Sequence, residues 1–540
     1  MPSRYVAAAL AVTLLALAGP ASGAERPSEP NDPFWADQWS LAMNPGVGID
    51  LLEAWRYGRG KGVVVAVVDT GIVPQPEFRG RILPGYDFVS NVLVANDGDG
   101  RDADPRDPGD WVTKAEAESG EIADECEADE SSWHGTHVAG IALAAANNER
   151  GIAGIAPRAL LLPVRALGKC GGTDRDLVDA LRWAGGLQVS GVPENRNPAS
   201  VINVSLGGSG QCSNALQSAI DELSELEVIV VAAVGNDAIP AADYTPANCA
   251  GTLTVAATDS TGQRAQYSNY GSYVDLSAPG GTKSEGILST VDRGKQQPQG
   301  AALGRAAGTS MAAPHVTGAL AIARGLDPSI SRVELLTLLL DHLVPFAPNS
   351  AEYGCDIQDL CGAGVLDAGA FITALQSRPE AVVEVSAPAE LRIEETAEYS
   401  VLVDGEGVTP ELLTGEVCFV DGSMVTGLTR GTCEVQVEVP STARRKGSLQ
   451  RFSFGVIGLD PALNVVAPEG MLVGQRLSLE VAHEGDGLVS YRTRTPTVCR
   501  ITPAGRIRAL KGGTCRVRVS LGQTERYEAA RKRIEVAVTP

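Results

Sequence analysis

Three short stretches hold residue types that act together in nucleophilic chemistry. VAVVDTGI puts Asp69 at the end of an apolar run, HGTHVAG opens on His134 after the loop SSW, and GTSMAAPHVTG, residues 308–318, sets Ser310 among small side chains. A serine hydroxyl is a weak nucleophile until a base takes its proton. An imidazole is a suitable base, and a carboxylate fixes its tautomer and stabilises the imidazolium. The types therefore cast Ser310 as nucleophile, His134 as base and Asp69 as the group that orients the base. Attack on a carbonyl creates an oxyanion that needs hydrogen-bond donors. The backbone N–H of Ser310 is one, and Asn236, closing VIVVAAVGN, is the other. Gly308, Thr309, Ala312 and Ala313 keep the approach to the hydroxyl clear and let the helix TSMAAPHVTGALAIARG pack closely. Pro314 is expected in that helix's first turn, where N–H groups lack internal partners. A helix N-terminus also favours developing negative charge. Each segment alone has a plainer reading, as a tight helix start or a turn asparagine. The combination points to catalysis.

These residues need a frame that brings distant segments together. From residue 25 to 376 the chain alternates apolar runs with amphipathic stretches. KGVVVAVVDTGI (61–72), ALLLPVRAL (159–167), ASVINVSLGG (199–208) and LEVIVVAAVGN (226–236) read as buried strands. HGTHVAGIALAAANN (134–148), DRDLVDALRWAGG (174–186) and SNALQSAIDELSEL (213–226) read as helices. Such alternation predicts an α/β domain, a parallel sheet with helices on both faces. Ligands gather at the carboxyl ends of strands in such sheets.

The beginning and the tail differ in texture. Residues 1–24 combine Arg4, an apolar run from Tyr5 to Ala18 and the small residues Ser22-Gly23-Ala24, the pattern of a removable export leader. Later stretches are too short to span a membrane. Ten cysteines in an exported chain predict disulfides. With no C-x-x-C, zinc is disfavoured, and chain order predicts the pairs Cys126–Cys170, Cys212–Cys249, Cys355–Cys361, Cys418–Cys433 and Cys499–Cys515. After residue 376 short alternating runs dominate. GLTRGTCEVQVEV (427–439) and RALKGGTCRVRVSL (508–521) form an internal repeat. The reading is two small all-β, Ig-like sandwich domains, 377–458 and 459–540, with a single larger β domain as alternative. The formal net charge of −22 argues against nucleic acid as a partner.

With these motifs in the order Asp, His, Ser, and VSLGG and VGN between the last two, residues 30–372 resemble the subtilisin-like serine proteases. The resemblance implies a subtilisin-like fold and the triad Asp69, His134 and Ser310, with Asn236 in the oxyanion hole. It implies that Ser205, Leu206, Gly207 and Gly208 form an extended edge that pairs with substrate, glycine permitting close approach. It makes His137 and His315 structural; His342 and His483 lie outside the motifs. Val234 departs from the family's frequent alanine beside Asn236. The implied activity is that of a secreted endopeptidase acting on polypeptides, broad with apolar or aromatic preference and monomeric. Family members usually carry an inhibitory propeptide, for which the short stretch after the leader leaves no room.

Calcium is the expected cofactor, since clustered carboxylate and carbonyl oxygens suit it. The resemblance points to Asp32, Asp87 and Asn148, with carbonyls near Ala145, Arg150 and Ile152. The loop NDGDGRDADPRDPGD (96–110) offers a second set, with Asp97, Asp99 and Asp104, and is equally readable as a solvated acidic loop. Two other readings of the whole chain stand beside the broad protease. One is a narrow processing protease. The other is an inert protein that binds a surface or a substrate through its tail.

Overall fold

The computed structural model describes residues 27–44, 46–122, 126–346, 355, 360–404, 406–407, 411–421 and 423–540. The leader expected at 1–24 lies outside the described residues.

The first nine strands among the described residues are β1 (Val64–Asp69), β2 (Tyr86–Asp87), β3 (Leu160–Arg165), β4 (Val201–Val204), β5 (Gly208–Ser209), β6 (Ile229–Ala233), β7 (Tyr244–Thr245), β8 (Leu253–Thr258) and β9 (Leu276–Pro279). Seven of them form one sheet in the order β2-β3-β1-β4-β6-β8-β9, every pairing parallel. β5 and β7 form a separate antiparallel pair.

Both faces of the sheet are covered, so its strands are apolar without alternation. Val65 and Val67 of β1 enter one core with residues of the helices His134–Leu143 and Thr309–Leu326. Ala66 and Val68 enter a second core with residues of the helices Asp174–Ala184 and Asn214–Glu225. The latter two begin at side-chain caps: Thr173 accepts from Asp176 N and Ser213 from Leu216 N.

The ten cysteines pair as Cys126–Cys170, Cys212–Cys249, Cys355–Cys361, Cys418–Cys433 and Cys499–Cys515, with Cα–Cα distances of 5.2–5.7 Å. The chain divides into two compact units. One holds the described residues up to Pro379 together with Ser441–Lys446; the other holds Glu380–Pro440 and Gly447–Pro540. The second unit contains small sheets built mostly of antiparallel pairs. It has two apolar clusters, each around one disulfide, Cys418–Cys433 in the first and Cys499–Cys515 in the second. Among the described residues no helix is long and apolar enough to cross a membrane.

Candidate active site

Asp69 ends β1, Ser205 follows β4 and Asn236 stands three residues beyond β6. These strands are neighbours in the parallel sheet, so the three residues meet at its carboxyl edge. His134 and Ser310 arrive on the starts of the two helices packed on one face. His134 follows Trp133, which takes the left-handed conformation with φ of +52°. That conformation costs a non-glycine residue about 1–2 kcal/mol, and the Trp133 indole is anchored by donating to the Gly294 carbonyl at 2.7 Å.

The carboxylate and the imidazole are joined. His134 Nδ1 lies 2.8 Å from Asp69 Oδ1, and Asp69 is fully buried. Burial works against the imidazolium, but the charge and hydrogen bond of Asp69, then Asp110 and Asp107 farther off, outweigh it and hold His134 above its ordinary pKa. A base works only when neutral, so kcat/KM should fall as pH drops through that raised value. Asp110→Asn removes one of the charges that raise it. The acid limb should then move to lower pH, as read from a pH profile of peptide hydrolysis; a limb that stays in place or moves upward excludes Asp110 from tuning the base.

Ser310 is seated by Ser205. Its hydroxyl donates to the Ser205 carbonyl at 3.0 Å, rather than to His134; such catalytic bonds tighten when substrate enters. In return Ser205 Oγ donates to the Ser310 carbonyl at 2.9 Å. That second bond corrects the reading of Pro314. The proline is the sixth residue of the helix, beyond the first turn, and its missing N–H would have met the Ser310 carbonyl. The Ser205 hydroxyl takes its place. Asn203 Nδ2 donates to Ser205 Oγ (2.8 Å) and Thr317 Oγ1 donates to Asn203 Oδ1 (2.8 Å), which fixes the hydroxyl's direction. The one polar letter inside the apolar run VINV was the signal for Asn203.

Asn236 is oriented from one end. Its Oδ1 accepts from Thr309 N (2.8 Å) and Thr309 Oγ1 (3.0 Å). Its Nδ2 donates to no protein acceptor among the described residues, beside the N-terminus of the serine helix. Gly235 holds a φ of +105°, and a Cβ there would lie 2.3 Å from Asn269 Nδ2. Asn269 in turn donates to the Val234 carbonyl and accepts from Asp237 N and Ile239 N, clamping the loop. Val234 is buried among Ala241, Ala247, Ala256 and Val274.

Thr70, missed in the sequence, ties the pair together. Its N–H donates to Asp69 Oδ1 at 2.8 Å, and its hydroxyl accepts from Gly135 N at 3.0 Å while donating to the buried Asp107 at 2.7 Å. Burial, then Asp110, push Asp107 up to about 7. His137 and His315 are buried and bonded away from the cleft, to the Ile287 and Gly304 carbonyls and to the Met311 carbonyl and Ser40. Burial lowers both to about 4, so neither carries charge at neutral pH. His342 and His483 bond to the Leu338 and Gly485 carbonyls.

A buried Asp joined to a partly exposed His, a serine at a helix start and an amide-bearing asparagine thus share one strand edge. A family model described as the Subtilase family matches residues 60–364. The chain belongs to the subtilase family. It is 44% identical over 345 residues to an "Extracellular protease" of Xanthomonas campestris pv. campestris, covering 64% of this chain and 57% of that protein. It is 43% identical over 347 residues to an "Extracellular basic protease" of Dichelobacter nodosus, covering 64% and 56%. It thus spans just over half the length of these curated relatives. Among solved structures it resembles the Pseudoalteromonas arctica proteases, with 46% identity, a TM-score of 0.60 and coverage of 64% of this chain and 100% of that one.

In this subtilase the cleft beside His134 is lined by Ser205, Leu206, Gly207 and Gly208, by Leu167 and Gly168, and by the Cys126–Cys170 disulfide. The two glycines differ. A Cβ on Gly208 would meet open space. A Cβ on Gly207 would lie 2.5 Å from the Tyr244 ring and 2.6 Å from the Thr245 carbonyl, so packing demands that glycine.

The metal candidates separate. Asp32 accepts from Asn147 N and Asn148 N (2.8 and 3.3 Å), and Asn148 Nδ2 donates to Glu77 Oε2 (2.8 Å). Ala145, Arg150 and Ile152 lie in the same segment; Arg150 N donates to Asn148 Oδ1 and Ala145 N to the Glu77 carbonyl. The acid that joins Asp32 and Asn148 is therefore Glu77. Asp87 is instead buried against Arg165, and accepts from Val89 N. Asp97 pairs with the same Arg165 at 2.6 Å and accepts from Asp99 N, while Asp104 pairs with Arg106. Asp110 accepts from Ser132. The carboxylates of Asp97, Asp102, Asp104, Asp107 and Asp110 thus turn to partners of their own. Among the described residues no group of three or more His, Cys, Asp or Glu is placed to hold an ion.

Proposed function

We propose that the protein is an exported serine endopeptidase that cleaves polypeptides through an acyl-enzyme on Ser310. The observation that carries this is the 2.8 Å contact between His134 and the buried Asp69, at the strand edge that also seats Ser310. In the proposed cycle a substrate strand lies along Gly208, and its carbonyl carbon meets Ser310 Oγ. His134 Nε2 takes the hydroxyl proton as the C–O bond forms, while Asp69 holds Nδ1–H and steadies the imidazolium. Ser310 N–H and Asn236 Nδ2 receive the oxyanion. The imidazolium then gives its proton to the leaving amine, and water repeats the steps to free the enzyme. Leu167, Leu177, Leu206 and Tyr244 on the cleft wall support a broad preference for apolar and aromatic side chains. Export is supported by the leader pattern at residues 1–24 and by the disulfides.

Casein hydrolysis that a serine-directed organophosphate abolishes is the expected result. Casein left intact, with no label on Ser310, would turn the reading toward an inert binding protein. Cleavage-site mapping across many unrelated peptides separates broad from narrow specificity.

Calcium fits at Asp32, Glu77 and Asn148. Two buried carboxylates and an amide oxygen make an oxygen-rich set for a hard cation. Burial, then the Asp32 charge acting against the Asn148 hydrogen bond, leave Glu77 raised, a cost that a bound cation would remove. The ion would brace the loop 145–152 against the amino end. Chelator should lower the melting temperature by roughly 3–4 °C at free calcium about a hundredfold above Kd, and Glu77→Gln should lose most of that sensitivity. An unchanged melt on chelation removes calcium from this site.

A further inference from the structure

The last β repeat carries a charge pattern that neither the fold nor the proposed catalysis calls for. Residues 459–540 hold thirteen lysines and arginines against eight aspartates and glutamates, in a chain whose formal net charge is −22. Much of the excess lies on one sheet face. The strands Val489–Thr493, Gly513–Leu521 and Ala530–Thr539 are adjacent and antiparallel. Their alternate residues Cys515, Val517, Val519, Ile534, Val536 and Val538 enter the core. The opposite set points outward and includes Arg492, Arg516, Arg518, Arg531 and Arg533, with Arg494 just past the strand end.

The register sets arginines against one another here, as it also does on the repeat's other sheet, where Arg476 and Arg500 both stand opposite Arg508. Arg492 stands directly opposite Arg518, and Arg518 directly opposite Arg533, so three guanidinium groups cross three strands in a row. Like charges directly opposite one another weaken a sheet. Arg516 is paired with Glu535 at 2.8 Å. Among the described residues the other five arginines have no ion-pair partner.

The first repeat is an internal control. Aligning Gly431-Thr432-Cys433 with Gly513-Thr514-Cys515 matches Glu434 to Arg516 and Gln436 to Arg518. Glu411, opposite Gln436, then matches Arg492, opposite Arg518. The same scaffold therefore folds with acidic or neutral residues in place of Arg492, Arg516 and Arg518, while Arg533 keeps an arginine counterpart, Arg451 opposite Gln436. Folding does not explain the row; an anionic partner does.

We propose that this face binds an anionic polysaccharide through its carboxylate or sulfate groups. Neighbouring strands lie about 5 Å apart and outward side chains on one strand about 7 Å apart, giving a grid of cations for a chain of regularly repeated anions. The guanidinium fork matches carboxylate and sulfate oxygens two at a time. Single-stranded nucleic acid is read on aromatic platforms, and lipid surfaces take apolar anchors. The outward positions of these three strands hold neither aromatic nor large apolar side chains, and the exposed Leu472 and Leu488 stand at opposite margins of the sheet. The choice of a polysaccharide over other polyanions also rests on the export proposed above.

The test is binding of the full-length chain, carrying Ser310→Ala against self-digestion, to immobilised heparin, polygalacturonate and neutral dextran in 0.15 M NaCl. Binding to either charged polymer but not to dextran is expected, heparin alone pointing to sulfate and polygalacturonate to carboxylate. Affinity should fall at least about tenfold between 0.05 and 0.2 M NaCl, by release of counterions. The double variant Arg492→Glu, Arg518→Gln carries the first repeat's own residues, leaves the Arg516–Glu535 pair in place, and should lose at least tenfold in affinity while keeping its melting temperature. Salt-independent binding, no binding, or equal binding by a variant that melts as the parent does, each overturns the proposal. Tighter binding to a single-stranded DNA oligonucleotide or to phosphatidylglycerol vesicles than to either polysaccharide overturns it too. None of these readouts needs peptidase activity, so failure here and failure of the catalytic reading are distinguishable.

Discussion

Ser310→Ala should remove turnover while leaving a folded protein. The serine is 9% exposed and its hydroxyl donates only to the Ser205 carbonyl, so losing it costs about 1 kcal/mol of stability. The return bond, Ser205 Oγ to the Ser310 carbonyl, does not involve the side chain and survives. Catalysis loses its nucleophile outright. The expected fall in kcat is about 10⁶-fold, the magnitude that subtilisin itself sets for this family. Peptide hydrolysis measured beside a thermal melt checks both halves. Turnover above about a hundredth of the parent's would place the nucleophile elsewhere.

Asn236→Leu should lower kcat by roughly 10²–10³ with KM little changed, again the figure that subtilisin sets. The donor acts on charge that exists only after attack, so substrate binding does not feel its loss. Leucine also leaves Thr309 N and Oγ1 without their acceptor, and Thr309 is fully buried. A stability loss of about 1–3 kcal/mol should accompany it. Asn236→Asp separates the two effects. It keeps an oxygen for Thr309 and replaces the donor with an acceptor, so kcat should fall at least as far while the melt stays closer to the parent. A KM rise with kcat preserved in either variant would mean that Asn236 holds the ground-state substrate instead.

The polar contacts around the triad raise a wider point about how the reactive groups are held. Each is fixed from a neighbour whose own direction is fixed in turn: Thr70 by Asp107, Ser205 by Asn203 and Thr317, Asn236 by Thr309. Reacting atoms gain most when their geometry is set before substrate arrives. Thr70→Val is isosteric and would remove both the acceptor for Gly135 N and the donor to Asp107, making it a sensitive probe of that support.

What could be read in the sequence was local. Apolar runs ended by Asp69, Ser205 and Asn236 marked buried parallel strands, because such strands are covered on both faces and need no alternation. The motif residues and their order pointed to the subtilase family, to which the chain belongs, since few side chains can serve as nucleophile, base and orienting acid. Spacing along the chain also sufficed for the disulfide pairs. Partnerships across long separations were decided only by packing. Asp87 and Glu77 are both acids soon after β1, yet the register of β2 beside β3 turns Asp87 onto Arg165, while the turn before it delivers Glu77 to Asn148. Pro314 in the serine helix is sustained by a hydroxyl more than a hundred residues away. Gly207 is small because Tyr244 presses on it, and Gly208 because nothing does. The acidic loop disperses because Asp97, Asp104, Asp107 and Asp110 each find a nearer cation or hydroxyl. A chain's letters set what each segment prefers by itself; which polar atoms share a buried space depends on where every other segment lands.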